Sequence, residues 1–444
     1  MLLVILLYVV VAVLFVIDAL MREDNTYRVV CRIAVILFVP IIGILLYILD
    51  GRRRRLRRAE LTQGCRPGLA RLVHNSCGEP VTLHNSVEVL HNANATYAAI
   101  IGALQRARSS ILLDYYIFVD DRLGGTVCDI LERKARGGVA VCVIYDAVGS
   151  WRLNHRTIVR LRCSGVDIRP FKPMRFPWIC NGIARRNHRK IAIVDSKVAF
   201  MGGINIAKRY IDGNSLGRWR DEHLRIEGDA VERLQRLFMK DWSECGGDAE
   251  PLSLRSAKHH VFECSPMQIA WSDECEARQT ILDTFTAAIA EAESAIRMST
   301  PYFIPPQGLF DALRVAVGRG VKVELMVPER GDLPLTAMVS DSYLRSIEQC
   351  GVEVYRYENG FPHSKVLIVD DKVASVGSAN CDYRSLCENL EVTCLAYDPR
   401  VIAELGEQFE LDKRECRATT ADRYRPSVAR RCVESLARLL SPLL

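Results

Sequence analysis

NHRKIAIVDSKVAFMGGINIA (residues 187–207) and PHSKVLIVDDKVASVGSANCD (residues 362–382) are two versions of one pattern: His-x-Lys, four residues, Asp, six residues, then Gly-[Gly/Ser]-x-Asn. The matched positions are His188, Lys190, Asp195, Gly202, Gly203 and Asn205, then His363, Lys365, Asp370, Gly377, Ser378 and Asn380. A lone His-x-Lys carries no information, but six positions repeated in register mark a duplication. The flanks repeat as well. A helical stretch near 93–108 leads into SSILLDYYIF (109–118), and a second precedes GGVAVCVIYD (137–146). In the second half a helical stretch near 276–293 leads into SAIRMSTPYF (294–303), and another precedes RGVKVELMVP (319–328). Strands alternating with helices from about residue 86 predict a layered α/β fold in two halves, 86–245 and 246–444. The hinge falls in SECGGDAEPLSLRSAKHH (243–260), which holds Gly, Pro and charges and has no clear period.

The chemistry of the repeated segment follows from side-chain direction. His and Lys two apart on a strand point to the same face, so each copy offers an imidazole beside an ammonium. Asp195-Ser196 and Asp370-Asp371 lie between two apolar runs, where a hairpin turn is expected, and turn-holding is the favoured role for both Asp residues. The Gly pairs suit a backbone that passes close to a bound group, with Asn205 and Asn380 donating amide protons to it. Two such strands together supply two His, two Lys and two Asn, with no metal-ligand set. That group suits a phosphodiester. One neutral imidazole attacks phosphorus and the other, protonated, gives its proton to the leaving oxygen. The lysines and asparagines hold the non-bridging oxygens, whose charge grows in the transition state.

The 444 residues are 49% hydrophobic and 25% charged, which excludes a collagen-like or wholly disordered chain. The net charge of +6 equals the contribution of Arg52, Arg53, Arg54, Arg55, Arg57 and Arg58, so the remainder sums to zero. A neutral catalytic part argues against a nucleic-acid partner. Among 16 cysteines there is no CxxC pair, which leaves a zinc site unsupported and favours buried reduced thiols.

Residues 1–17 (MLLVILLYVVVAVLFVI) and 33–49 (IAVILFVPIIGILLYIL) are uninterrupted apolar runs. At about 1.5 Å per residue each spans roughly 26 Å, the short end of what a bilayer core needs. The first run lacks a basic region before it and a small-residue cleavage site after it, so a two-helix transmembrane hairpin over 1–50 is expected rather than a cleaved signal. The arginine cluster opens a basic juxtamembrane linker, 51–85. Its charge places the remainder of the chain on the cytoplasmic side of a cell membrane, against anionic headgroups.

On the paired His-Lys-Asp motif the sequence resembles the phospholipase D superfamily. The N-terminal hairpin, RNHRKIAIVD, GGINIA, WRDEHLRIEG (219–228), DW (241–242), STPYFIPP (299–306), GSANCDYRSL (377–386) and the closing LLSPLL make it similar, within that superfamily, to the bacterial cardiolipin synthases. The resemblance implies a duplicated α/β/α sandwich with one active site between the halves, whose catalytic set is His188, Lys190, Asp195, His363, Lys365 and Asp370. It implies transfer through a phosphohistidine without metal or other cofactor, His188 as nucleophile and His363 as general acid. It also implies an acid downstream of each motif, Asp221 and Glu391, that orients the catalytic His through its other nitrogen. The implied substrates are phosphatidylglycerol and other anionic phospholipids, and the implied reaction is phosphatidyl transfer to a second phosphatidylglycerol with release of glycerol. The alternative is a membrane-anchored hydrolase releasing phosphatidic acid. WSDE (271–274), Cys381 and Glu222 depart from the family pattern without touching the His, Lys or Asn positions.

Overall fold

Strands covered on both faces are apolar at nearly every position, and the KIAIV of the first motif is buried throughout. Ile191 and Ile193 join one apolar cluster while Ala192 and Val194 join another, the period-two split of a sheet with cover on each side. The computed structural model describes residues 68–173, 185–248, 263–273, 279–419 and 428–439, with isolated residues 13, 261 and 441. The two apolar runs (apart from residue 13), the arginine cluster and the hinge residues 249–260 lie outside the described residues. Among the described residues no helix is long and apolar enough to cross a membrane.

The first half runs α1 (Leu69–Cys77), β1 (Asn85–His91), α2 (Asn92–Arg106), β2 (Ser110–Tyr115), α3 (Arg122–Arg136), β3 (Ala140–Asp146), α4 (His155–Cys163), β4 (Asp167–Phe171), β5 (Lys190–Val194), β6 (Val198–Gly202), α5 (Arg209–Asp212), β7 (Arg218–Arg220), β8 (Glu222–Gly228) and α6 (Asp229–Glu244). The second runs β9 (Met267–Trp271), α7 (Thr280–Glu291), β10 (Ala295–Ser299), β11 (Phe303–Ile304), α8 (Gln307–Gly318), β12 (Lys322–Pro328), α9 (Pro334–Glu348), β13 (Glu353–Tyr357), β14 (Gly360–Pro362), β15 (Val366–Val369), β16 (Val373–Gly377), β17 (Cys381–Asp382), α10 (Tyr383–Cys387), β18 (Val392–Ala396), α11 (Pro399–Lys413), β19 (Cys416–Ala418) and α12 (Val428–Arg438).

The main sheets have the orders β1-β8-β6-β5-β2-β3-β4 and β19-β13-β12-β10-β15-β16-β18-β9. Read from β8 to β4 and from β18 to β13, they are one arrangement used twice. β2 and β3, like β10 and β12, pair in parallel, and the motif strand (β5 or β15) joins antiparallel. One face of the first sheet is covered by its own helices. The other shares a core with the second half, in which Leu112, Ile191 and Met201 belong to the same cluster as Met298, Leu367 and Val376.

The expected linker 51–85 contains an element that its sequence reading did not resolve. Leu69, Val73 and Cys77, spaced by four, form the buried stripe of α1, which packs on α7 and β9 of the second half. The stretch is short and carries His74, Asn75 and Ser76, so its apolar period is visible only once a partner is known.

Candidate active site

Each motif histidine stands just before its strand, in a segment that pairs with the opposite half. Arg186–His188 runs beside Leu390, with His188 N–H donating to the Leu390 carbonyl and Leu390 N–H to that of Arg186, both 2.9 Å. In the other half β14 pairs with β7 in parallel, and His363 N–H donates to the Arg220 carbonyl. The next residue on each partner segment is an acid. Glu391 follows Leu390, Asp221 follows Arg220, and the side chains meet crosswise. His188 Nδ1 lies 2.9 Å from Glu391 Oε1, and His363 Nδ1 lies 2.7 Å from Asp221 Oδ2. A carboxylate beside Nδ1 favours the tautomer that carries Nδ1–H and leaves Nε2 free, while at His363 the Lys365 ammonium competes for the same Nδ1. The two downstream acids thus serve the histidine of the other half.

Lys190 and Lys365 donate back to the carbonyls of His188 and His363, and Lys365 Nζ stands 2.7 Å from His363 Nδ1. All four side chains are buried or nearly so, and their charges act on one another across the seam. Burial pushes His188 down to about 4, with Glu391 opposing and Lys190 adding to the fall. Burial first, then the charges of Lys365, Lys190 and His188, hold His363 well below its ordinary value. Burial likewise lowers Lys190 to about 7 and Lys365 to about 8. Burial raises Asp221 to about 6 against the pull of Lys365. At Glu391 burial is outweighed by His188 and Lys190, and the carboxyl stays below its usual range. The lowered values at both His and both Lys mean that this cluster resists positive charge, a resistance that a nearby anion would relieve.

The motif Asp residues lie elsewhere. Asp195 and Asp370 sit at the far ends of β5 and β15, about 16 Å of strand from the motif lysines. Asp195 accepts from the backbone N–H groups of Arg108, Ser109 and Ser110 and from the Ser109 hydroxyl. Asp370 accepts in the same way from Glu293, Ser294 and Ala295. Both adopt positive φ (54° and 51°), as the tight turn demands. These bonds outweigh burial and hold Asp370 down to about 2. Each Asp ties its hairpin to the start of the neighbouring strand, and neither reaches the imidazoles. The grouping of these two with the reacting residues is corrected accordingly.

The Gly and Asn expectations are also modified. A Cβ on Gly203 would come within 2.2 Å of Asp221 Oδ1, and one on Gly377 within 2.5 Å of the Val392 carbonyl. These glycines admit the neighbouring strand and its acid rather than a ligand. Ser378, the counterpart of Gly203, instead donates its hydroxyl to Glu391. Asn205 Nδ2 donates to the Tyr210 hydroxyl and Oδ1 accepts from Ile117 N–H, so its amide is already used in holding loops together. Asn380 keeps Oδ1 buried without a partner, and of the two it alone has an open end.

Sequence reasoning missed the walls and the floor. Tyr116 meets His188 edge-on at 4.8 Å, while Trp219 and Tyr210 pack on His363 at 5.0 and 5.5 Å. Below them Arg189, fully buried, pairs with Asp241 and donates to the carbonyls of Ser272 (2.6 Å) and Glu391 (3.3 Å). Strand alternation does turn Arg189 away from His188 and Lys190, which is a signal. Its partners, however, are 52 and more residues distant. Among the described residues no group of three or more His, Cys, Asp or Glu side chains could hold a metal ion.

The family model described as "Cardiolipin synthase, PLD-like domain" matches residues 100–242 and 285–413. The chain belongs to that family. Both matched blocks contain one complete His-Lys-Asp motif with the acid that serves the other block. The chain is 36% identical over 448 residues to a cardiolipin synthase of Geobacillus kaustophilus, covering 93% of this chain and 88% of that protein. It is 39% identical over 368 residues to cardiolipin synthase 2 of Bacillus anthracis, covering 82% and 72%. Among solved structures, the phosphatidylserine synthase of Haemophilus influenzae superimposes with a TM-score of 0.66 at 15% identity, over 85% of this chain and all of that one. That likeness is one of fold. On this family match and these relatives, the chain is an enzyme of the phosphatidyltransferase type.

Proposed function

We propose that the protein is a cardiolipin synthase that moves the phosphatidyl group of one phosphatidylglycerol to a hydroxyl of another, releasing glycerol. The observation that carries this reading is the crossed pair of His-carboxylate contacts, which sets two Nε2 atoms on one seam beside two lysines. In the first step His188 Nε2 attacks phosphorus while His363 protonates the departing glycerol oxygen. The P–O bond breaks as the P–N bond forms. In the second step His363 takes the proton of the acceptor hydroxyl, whose oxygen attacks phosphorus as the P–N bond breaks. His188 gains positive charge on forming the adduct, and Glu391, held ionised 2.9 Å away, stabilises it. That supports His188 as nucleophile. His363, strongly acidic once charged, suits the leaving oxygen. Lys190 and Lys365 hold the non-bridging oxygens. The apolar runs 1–17 and 33–49 would anchor the enzyme, with its catalytic part at the cytoplasmic headgroup layer where both substrates lie.

Phosphatidylglycerol incubated with membranes carrying the protein is expected to yield cardiolipin and free glycerol, separable by thin-layer chromatography. His188→Ala and His363→Ala should each abolish it. Phosphatidic acid in place of cardiolipin would hand the site to a hydrolase.

A further inference from the structure

The duplication extends past the motif. Arg209 stands four residues after Asn205, and Arg384 stands four residues after Asn380. Each ends up near an aromatic ring that packs on an imidazole. The Arg209 guanidinium lies over the rings of Trp219 and Tyr210, at 5.1 and 5.7 Å, and those are the two rings packed on His363. Its Nε is buried with no hydrogen-bond partner; the side chain also hydrogen-bonds the neutral Tyr210 hydroxyl, and among the described residues no carboxylate pairs with it. A guanidinium so placed has donors to give and no anion to receive them. Arg384 opens α10 on the other side of the site, where its charge acts on Tyr116, the ring against His188.

The two positions are not equivalent in the reaction, because an in-line displacement is polar. If His188 attacks phosphorus, the leaving and entering oxygens lie on the opposite side, beside His363 and hence beside Arg209. Water and glycerol are neutral there. A phospholipid acceptor is not: a few bonds from its free hydroxyl it carries its own phosphodiester anion. We propose that Arg209 binds this second phosphate, the one belonging to the acceptor lipid, and so brings the acceptor hydroxyl rather than water to the covalent intermediate. The assignment rests on the transferase reading above and adds to it a binding site for an anionic glycerophospholipid. The guanidinium fork offers two parallel N–H bonds to phosphate oxygens, stacked on an indole face that restricts its orientation. Arg384, on the nucleophile side, has no acceptor to hold.

The test compares products made by the full-length protein in phosphatidylglycerol vesicles, for wild type, Arg209→Gln, Arg209→Lys and Arg384→Gln. Two ratios are read: cardiolipin to phosphatidic acid, and, with butanol added, phosphatidylbutanol to phosphatidic acid. Arg209→Gln is expected to lower the first ratio about tenfold, the loss of one charge-assisted contact, and to leave the second where it was, since a neutral alcohol makes no use of the guanidinium. Arg209→Lys should recover most of the first ratio, and Arg384→Gln should keep it. The assignment is overturned if Arg209→Gln retains the wild-type first ratio. It is equally overturned if both ratios fall together, which would mean general entry of water, or if the shift appears in Arg384→Gln instead. A wild type that makes only phosphatidic acid removes the transferase reading itself. A wild type that makes cardiolipin while Arg209→Gln partitions normally removes only the acceptor site.

Discussion

His188 and His363 each set Nδ1 against a carboxylate from the other half, a contact that favours one tautomer, so the two acids should matter almost as much as the rings. Replacing Glu391 by Gln or Asp221 by Asn keeps shape and hydrogen bonding but lets the imidazole adopt the wrong tautomer. Each is expected to lower turnover by about two to four orders of magnitude, with cardiolipin formation as the measure; a loss under tenfold would show that the contacts do not position the rings. The lysines give a second, independent handle. Lys190 falls to about 7 in the folded protein because burial and then Lys365 outweigh the attraction of Glu391. Between that value and the ordinary one near 10.5, the unfolded chain holds a proton that the folded chain lacks. Stability must therefore rise with pH across this window and fall as pH drops through it. Lys190→Met removes the difference. Melting temperatures near pH 7 and near pH 10 should diverge less in that variant than in wild type, and an equal spread would refute the depressed value.

At the scale of elements, the two motif hairpins show which parts of the sequence could be read alone and which could not. The apolar alternation of β5 and β6, the Asp-Ser turn between them and the repeat in β15 and β16 are local, and all were legible from spacing. The Asp195 carboxylate gathers three backbone N–H groups and a hydroxyl at the exposed turn end of the β5–β6 hairpin. Asp195→Ala is accordingly expected to cost about 1–3 kcal/mol of stability, read from denaturant unfolding, while turnover per folded molecule falls far less than in His188→Ala. If turnover fell as far as in that variant, Asp195 would return to the chemistry. What could not be read was contact at long range. The motif does not say that Glu391 reaches back 203 residues to His188, or that Tyr210 occupies the amide of Asn205. Nor does it say that Gly203 is small because Asp221 fills the space beside it. Each depends on how two distant strands lie together, and residue type alone gives several equal solutions.

Taken as a whole, the molecule has no separable catalytic half. The short ladders β7–β14 and Asn187–Leu390 cross the seam, Arg189 bonds Asp241 on one side and the Ser272 and Glu391 carbonyls on the other, and one apolar cluster contains side chains from both sheets. Parting the halves would strand each imidazole away from its acid and leave Arg189 with an incomplete set of partners in the interior, a loss that buried ion pairs make steep. The two repeats should therefore unfold together despite being built as two similar units. Calorimetry of the full-length protein in detergent is expected to show one transition for the α/β part, with activity lost across it rather than before it. Asp241→Asn, which removes the buried partner of Arg189, should move that single transition down by several degrees and take activity with it. Two well-separated transitions, or activity that survives the first, would mean that the seam is a contact between independent domains and that the crossed histidines can be held without a common core.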